Sequence, residues 1–202
     1  MSKPHDYVTR AGAKLAHALD VFALDPMGLD CADFGCNVGG FTDCLLQRKA
    51  ARVIALDTGY GVLDWALRNN ERVEVAERTN VLHAPIPETG VDLVVADVGW
   101  TPQAKLLPIA LRWLRPQGRI VTLVKPHYEH SARQRNRRQA TGPLDDETAR
   151  QELELVIEAI PALGGHVLDA TDSPLRGAKS SRGKGGGNME FLLLIEAPRD
   201  TN

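Results

Sequence analysis

Short apolar runs alternate along the chain with stretches whose apolar residues recur every third or fourth position, as strands do when interleaved with amphipathic helices. The pattern predicts strands over residues 29–34, 52–56, 73–76, 91–96, 119–124, 166–170 and 189–196. It predicts helices over 13–22, 41–47, 61–69, from near Pro102 to Leu114, and over 145–162. In the first of these, Leu15, Ala18, Leu19 and Phe22 share a face. In the last, Asp145 or Asp146 caps the N-terminus and Leu153, Val156, Ile157 and Ile160 turn inward. Regular strand–helix alternation points to an α/β fold around a parallel sheet. No repeat or linker divides the chain, so 1–202 is read as one domain with a short N-terminal extension, 1–6.

Two segments break the pattern. Residues 130–143 carry Arg133, Arg135, Arg137 and Arg138 with no apolar anchor before Leu144. Residues 173–188 carry Arg176, Lys179, Arg182 and Lys184 among several glycines. Both read as basic loops rising from the sheet edge that binds ligands, either solvated or contacting the phosphates of a polyanion.

The most informative junction is Asp33-Phe34-Gly35-Cys36-Asn37-Val38-Gly39-Gly40-Phe41-Thr42-Asp43, between the first strand and its helix. Glycines there let the backbone turn sharply and approach a ligand closely, and the helix beyond offers free N–H groups. The Gly-x-x-x-Gly-Gly order differs from the Gly-x-Gly-x-x-Gly of dinucleotide sites, where a pyrophosphate rests on the helix. A cofactor without phosphates is favoured. Asp57 ends the second strand, where its carboxylate can accept ribose hydroxyls. S-adenosylmethionine has such a ribose and no phosphate. A structural glycine turn capped by an acid is the plainer alternative.

Length and charge narrow the class. A chain of 202 residues can build a continuous core. Cys31, Cys36 and Cys44 are odd in number and lack zinc-site spacing, so neither a disulfide framework nor a metal is expected, and a reducing, cytoplasmic setting fits. No run has the length of a membrane span or the form of a signal peptide. The net charge of −2 gives no overall attraction to nucleic acid, but the basic residues are clustered.

Further candidates follow from position. Lys14 falls in the first turn of a helix, where a cation is slightly disfavoured, so it either extends into solvent, the preferred reading, or meets an anion. Asn80, after Glu77-Arg78-Thr79, either reaches an adenine edge or forms a turn. Asp97 closes a fully apolar strand, a costly place for a carboxylate unless a cation, water or ligand meets it. Lys125 closes the next strand and can pair with it, and Glu190 opens the last strand at the same rim. Trp100 either stacks a nucleotide or fills a wall, the latter being preferred.

These blocks together resemble the FtsJ-like RNA methyltransferases: Tyr7-Val8-Thr9-Arg10-Ala11-Gly12-Ala13-Lys14-Leu15, Asp33 through Leu46, Asp57-Thr58-Gly59-Tyr60-Gly61, Glu77-Arg78-Thr79-Asn80, Val94-Val95-Ala96-Asp97, Leu123-Val124-Lys125-Pro126 and Asn188-Met189-Glu190-Phe191-Leu192. The resemblance is strongest to the TlyA branch, whose members also carry a haemolysin label, and runs from Tyr7 to Ile195. It implies a class I S-adenosylmethionine-dependent methyltransferase fold, Rossmann-like, with a seven-stranded, mostly parallel sheet and an antiparallel last strand. It also implies methyl transfer to a ribose 2′-hydroxyl of RNA, most readily ribosomal RNA and alternatively transfer RNA. The Lys-Asp-Lys-Glu catalytic set of the family falls on Lys14, Asp97, Lys125 and Glu190. Asp33, Gly35, Asn37, Gly39, Gly40, Phe41, Asp57, Asn80 and Asp97 are the expected cofactor residues, and Arg10 joins the basic loops as an expected RNA contact.

Two departures stand out. Only six residues precede Tyr7, so the S4-type RNA-binding domain of the TlyA branch is expected to be missing and RNA targeting to rest on the basic loops or a partner. Asp97-Val98-Gly99-Trp100 replaces the more familiar Asp-Leu-Ser-Phe. Lys125 is the expected proton acceptor or guide, although which lysine is neutral is left open by the nearby carboxylates. The alternatives are a catalytically silent RNA-binding or haemolysin-like protein, a nicotinamide-dependent oxidoreductase, and a methyltransferase acting on DNA or a small molecule.

Overall fold

A computed structural model describes residues 6–134, 144–177 and 187–198. Its elements, in chain order, are α1 (Ala11–Val21), β1 (Asp30–Phe34), α2 (Gly40–Gln47), β2 (Arg52–Leu56), α3 (Trp65–Arg68), β3 (Val73–Ala76), β4 (Val91–Ala96), α4 (Gln103–Trp113), β5 (Leu114–Val124), α5 (Pro126–Arg133), α6 (Asp146–Ala159), a 3₁₀ turn (Ile160–Leu163), β6 (His166–Asp172) and β7 (Phe191–Glu196). The strands form one seven-stranded sheet in the order β3-β2-β1-β4-β5-β7-β6. All pairings from β3 to β5 are parallel, whereas β7 runs antiparallel to both β5 and β6.

Strand side chains alternate between two apolar layers because a strand's period is two. Val53, Leu93, Val95, Val121 and Leu192 join Leu15, Leu19, Phe41 and Leu45 on one face. Ile54, Val94, Ile120, Phe191 and Leu193 join Leu106, Leu107, Trp113 and Val156 on the other. Both faces are thus covered by helices, which accounts for the near-continuous apolar runs of the central strands.

Strand order reverses between β1 and β4, whose C-terminal ends open the crevice typical of open α/β sheets. Four details differ from the sequence expectation. α3 is only Trp65–Arg68, because Glu77 accepts the N–H groups of Gly61 (2.8 Å), Val62 (3.0 Å) and Leu63 (3.2 Å) and holds that stretch as a loop. β5 begins at Leu114, with its register to β4 shifted between Val91 and Leu93. β7 begins at Phe191, and its pairing with Val124 carries Glu190 to the rim. Finally, 126–133 is helix α5, which takes in the strand-end residues 126–129 and the first four residues of the expected 130–143 loop.

Candidate functional site

A cavity of about 750 Å³ opens at the C-terminal ends of β1, β2, β4 and β5, within the usual size range of small-molecule sites. Its floor is the β1–α2 turn. Gly35 has φ +82°, and a Cβ there would stand 2.8 Å from the Asp97 carbonyl oxygen, so only glycine lets β1 turn this close to β4. Gly40 opens α2 directly against Thr9 and the Gly12 nitrogen, which brings the segment before Lys14 onto the turn. Val8 N–H donates to Asp43 Oδ2 at 2.7 Å and fastens that segment to α2.

Three strand-end carboxylates surround the turn, each in a different state. Asp57 receives the Asn37 N–H on Oδ2 (2.9 Å) and the Gly59 N–H on Oδ1 (2.7 Å), fixing it at the cavity wall. Asp33 is fully buried; Thr42 donates to its Oδ2 at 2.6 Å, while Oδ1 has no partner among the described residues. Burial, reinforced by Asp97, pushes the Asp33 carboxyl up to about 7. Asp97 lines the cavity in an ion pair with Lys125. Of the three, Asp97 is offset by Lys125 and Asp33 is partly protonated near neutral pH, so Asp57, which has no ion pair among the described residues, carries the uncompensated negative charge at the turn.

The four residues of the expected catalytic set all line the cavity. Sheet order explains three of them: β4, β5 and β7 are neighbours, so Asp97, Lys125 and Glu190 come from consecutive strand ends. Parallel register pairs Ala96 with Thr122, which leaves Lys125 further along the chain than the residue opposite Asp97, and the long lysine side chain closes the gap. Lys14 corrects the preferred expectation. It is buried, 5% exposed, and pairs with Glu190 rather than extending into solvent. A buried ammonium requires such a partner. The glycine at 177 accommodates this pair, since a Cβ there would fall 2.8 Å from Glu190 Oε1.

The remaining expected residues divide. Gly35, Asn37, Gly40, Phe41, Asn80 and Arg10 line the cavity. Asn80 forms the turn that was one of its two readings, accepting Leu82 N–H at 3.0 Å, and still faces the cavity. Asp33 and Gly39 support the turn from behind, Gly39 in the left-handed region with φ +105°. Of the basic residues, Arg133 binds the buried Glu152 (2.9 Å), and Arg176 makes a two-pronged contact with Asp146 (2.8 and 2.6 Å). Arg135, Arg137, Arg138, Lys179, Arg182 and Lys184 lie outside the described residues.

Sequence reasoning missed four contributors. Glu77 folds the β2–α3 loop beside the cavity, and its ion pair with Arg68 and the Gly61 N–H hold its carboxyl down at about 2. Its place at the end of β3 was the available signal. Glu152 receives hydrogen bonds from His130 Nδ1 (2.7 Å) and Arg133 Nε, anchoring α5 to α6. His127 and Tyr128, at the start of α5, also line the cavity. Trp100 is 80% exposed instead of filling a wall, and it packs on Tyr128 (4.7 Å between ring centroids), which packs in turn on His127 (4.1 Å).

Comparison with known proteins agrees with this architecture. The chain is 37% identical over 200 residues, 96% of its own length and 70% of the relative's, to the 16S/23S rRNA (cytidine-2′-O)-methyltransferase TlyA of Mycobacterium tuberculosis. It superposes on the structure of a candidate hemolysin from Streptococcus thermophilus with TM-score 0.86 and 32% identity, covering 98% of this chain and 70% of that one. A candidate S-adenosylmethionine-dependent methyltransferase from Listeria monocytogenes shares the fold alone, with TM-score 0.65 and 15% identity over 94% of this chain and all of that one. The sheet is therefore that of the class I S-adenosylmethionine-dependent methyltransferases. The FtsJ-like methyltransferase model matches residues 7–182, and the chain belongs to that family of enzymes.

Proposed function

We propose that this methyltransferase transfers the methyl group of S-adenosylmethionine to a ribose 2′-hydroxyl of ribosomal RNA. The observation that carries the reading is the convergence, in one cavity, of the glycine turn, Asp57 and the two ion pairs Lys14–Glu190 and Lys125–Asp97. The rRNA activity named for the M. tuberculosis relative supports the substrate class.

The residues present fit the cofactor. Asp57 is held at the wall with carboxylate lone pairs available to a ribose, Gly35 and Gly40 let the turn that floors the cavity close against Asp97 and the Thr9–Gly12 segment, and Asn80 stands at the edge of the same cavity. S-adenosylmethionine supplies an electrophilic methyl group on a positively charged sulfur. The uncompensated carboxylate of Asp57 favours that charge, and the Gly-x-x-x-Gly-Gly order of the turn differs from that of dinucleotide sites. Lys125, oriented by Asp97, steers the acceptor hydroxyl; after releasing its own proton to solvent, the neutral amine takes the hydroxyl proton as the oxygen bonds to the methyl carbon and the carbon–sulfur bond breaks. Lys14 and Glu190 form the second ion pair lining the same cavity. Holding the hydroxyl in line contributes several kcal/mol by itself. Arg10, at the cavity, and the basic loops supply backbone contacts to RNA.

The test is transfer of labelled methyl to small and large ribosomal subunits, free ribosomal RNA and transfer RNA. Alkali-resistant label in ribosomal RNA, reduced about 10²-fold or more by Lys125→Ala, is the expected result. Absence of label from every RNA, with cofactor binding intact, overturns the proposal in favour of a silent or haemolysin-like role. No helix among the described residues is long and apolar enough to cross a membrane.

A further inference from the structure

The starting point is His127, which the reaction scheme above does not use. Its ring lines the cavity, yet its Nδ1 is sealed from solvent without a hydrogen-bond partner among the described residues. Nε2 is not sealed in this way, which leaves it as the ring nitrogen open to an incoming group. A proton on Nδ1 would bury an unshared N–H, whereas a proton on Nε2 leaves the donor where an incoming group can accept it. Burial and the neighbouring Lys125 both hold the imidazole below its ordinary protonation range, so it carries one proton, assigned to Nε2 by this hydrogen-bonding argument.

The ring is also fixed in place. It packs against Tyr128, which packs against the exposed Trp100, so the three rings form a tier along one side of the cavity. Lys125 Nζ stands 5.9 Å from the Tyr128 centroid. The base of a nucleotide whose ribose meets Lys125 is within reach of this tier. Below it, α5 is anchored at Glu129, which accepts the Gln103 N–H at 2.8 Å, and at Glu152. A single donor on an immobile ring can distinguish bases by the acceptors on their edges.

We infer that His127 is a specificity-determining residue that donates a hydrogen bond from Nε2 to an acceptor, a ring nitrogen or carbonyl oxygen, on the base of the nucleotide being methylated. The inference rests on the RNA 2′-O-methyltransferase reading above.

The experiment measures kcat and KM for ribosomal subunits lacking the modification, with cofactor Kd, for wild type and for His127→Leu, His127→Gln and His127→Asn. Glutamine places an amide N–H near the position of Nε2, and asparagine places one near Nδ1. Leucine is expected to lower kcat/KM about tenfold, the worth of one hydrogen bond, mainly through KM. Glutamine is expected to recover most of that loss and asparagine little of it, with cofactor Kd unchanged throughout. On subunits carrying each alternative base at the methylated position, leucine should narrow the base preference of wild type. Equal behaviour of the glutamine and asparagine variants, an unaltered base preference in the leucine variant, or a parallel loss of cofactor affinity overturns the inference. If wild type labels no RNA, it is the underlying functional reading that fails instead.

Discussion

Replacing Asp33 by Asn should remove a pH dependence from the stability of this protein. The carboxyl of Asp33 is fully buried at the end of β1, with one oxygen bonded to Thr42 and the other without a partner among the described residues. Its pKa rises from an ordinary 3.8 to about 7, through burial first and the charge on Asp97 after it. Between those values the folded protein holds a proton that the unfolded chain has released. Wild-type stability therefore falls as pH rises from about 4 to about 7 and is flat in this respect above that window. At about 1.4 kcal/mol per pH unit, the loss attributable to Asp33 is bounded at about 4 kcal/mol. Asparagine keeps an oxygen for Thr42 and carries no charge, but its amide nitrogen lacks an assured acceptor, which costs about 1–3 kcal/mol at every pH. The signature is consequently the slope, not the offset. Urea unfolding at a series of pH values should show the wild-type-minus-variant difference changing by a few kcal/mol across the window in favour of Asp33→Asn at high pH. Parallel curves for the two proteins would refute the reasoning, since they would mean that Asp33 ionises in the fold without penalty.

Gly35→Ala forces a Cβ into the Asp97 carbonyl at positive φ; it should cost about 1–3 kcal/mol in denaturant unfolding and weaken cofactor binding at least tenfold by calorimetry, and unchanged cofactor affinity would contradict the geometry. Glu152→Ala releases His130 and Arg133 from α6 and should destabilise by about 1–3 kcal/mol, discounted because Arg133 is partly exposed, while leaving cofactor Kd intact. Trp100→Ala should leave stability within about 0.5 kcal/mol, because the ring is mostly exposed, yet raise KM for RNA by about tenfold through lost stacking; steady-state kinetics on ribosomal subunits decides it.

The amino-acid sequence by itself determined the sheet. Strands such as 52–56 and 91–96 coincide with the observed ones because they are apolar runs too short for helices, bounded by turns, and buried on both faces. The glycine turn, Asp57, Asp97 and Lys125 were legible for a related reason: a polar residue that closes a buried strand must lie at the sheet's edge. Helix α5 was not legible, because Pro-His-Tyr-Glu-His-Ser-Ala-Arg has no apolar stripe. It is held by long-range bonds, from His130 and Arg133 to Glu152 and from the Gln103 N–H to Glu129, that no local window contains. The fate of Lys14 was equally out of reach. Its helix position suggested solvent, and only the antiparallel return of β7, 176 residues later, delivers Glu190 to neutralise it in a place where an unpaired ammonium could not remain. Local pattern thus set which segments became strands and where the chain turned, while pairing between distant charges required the assembled sheet that brings their ends together.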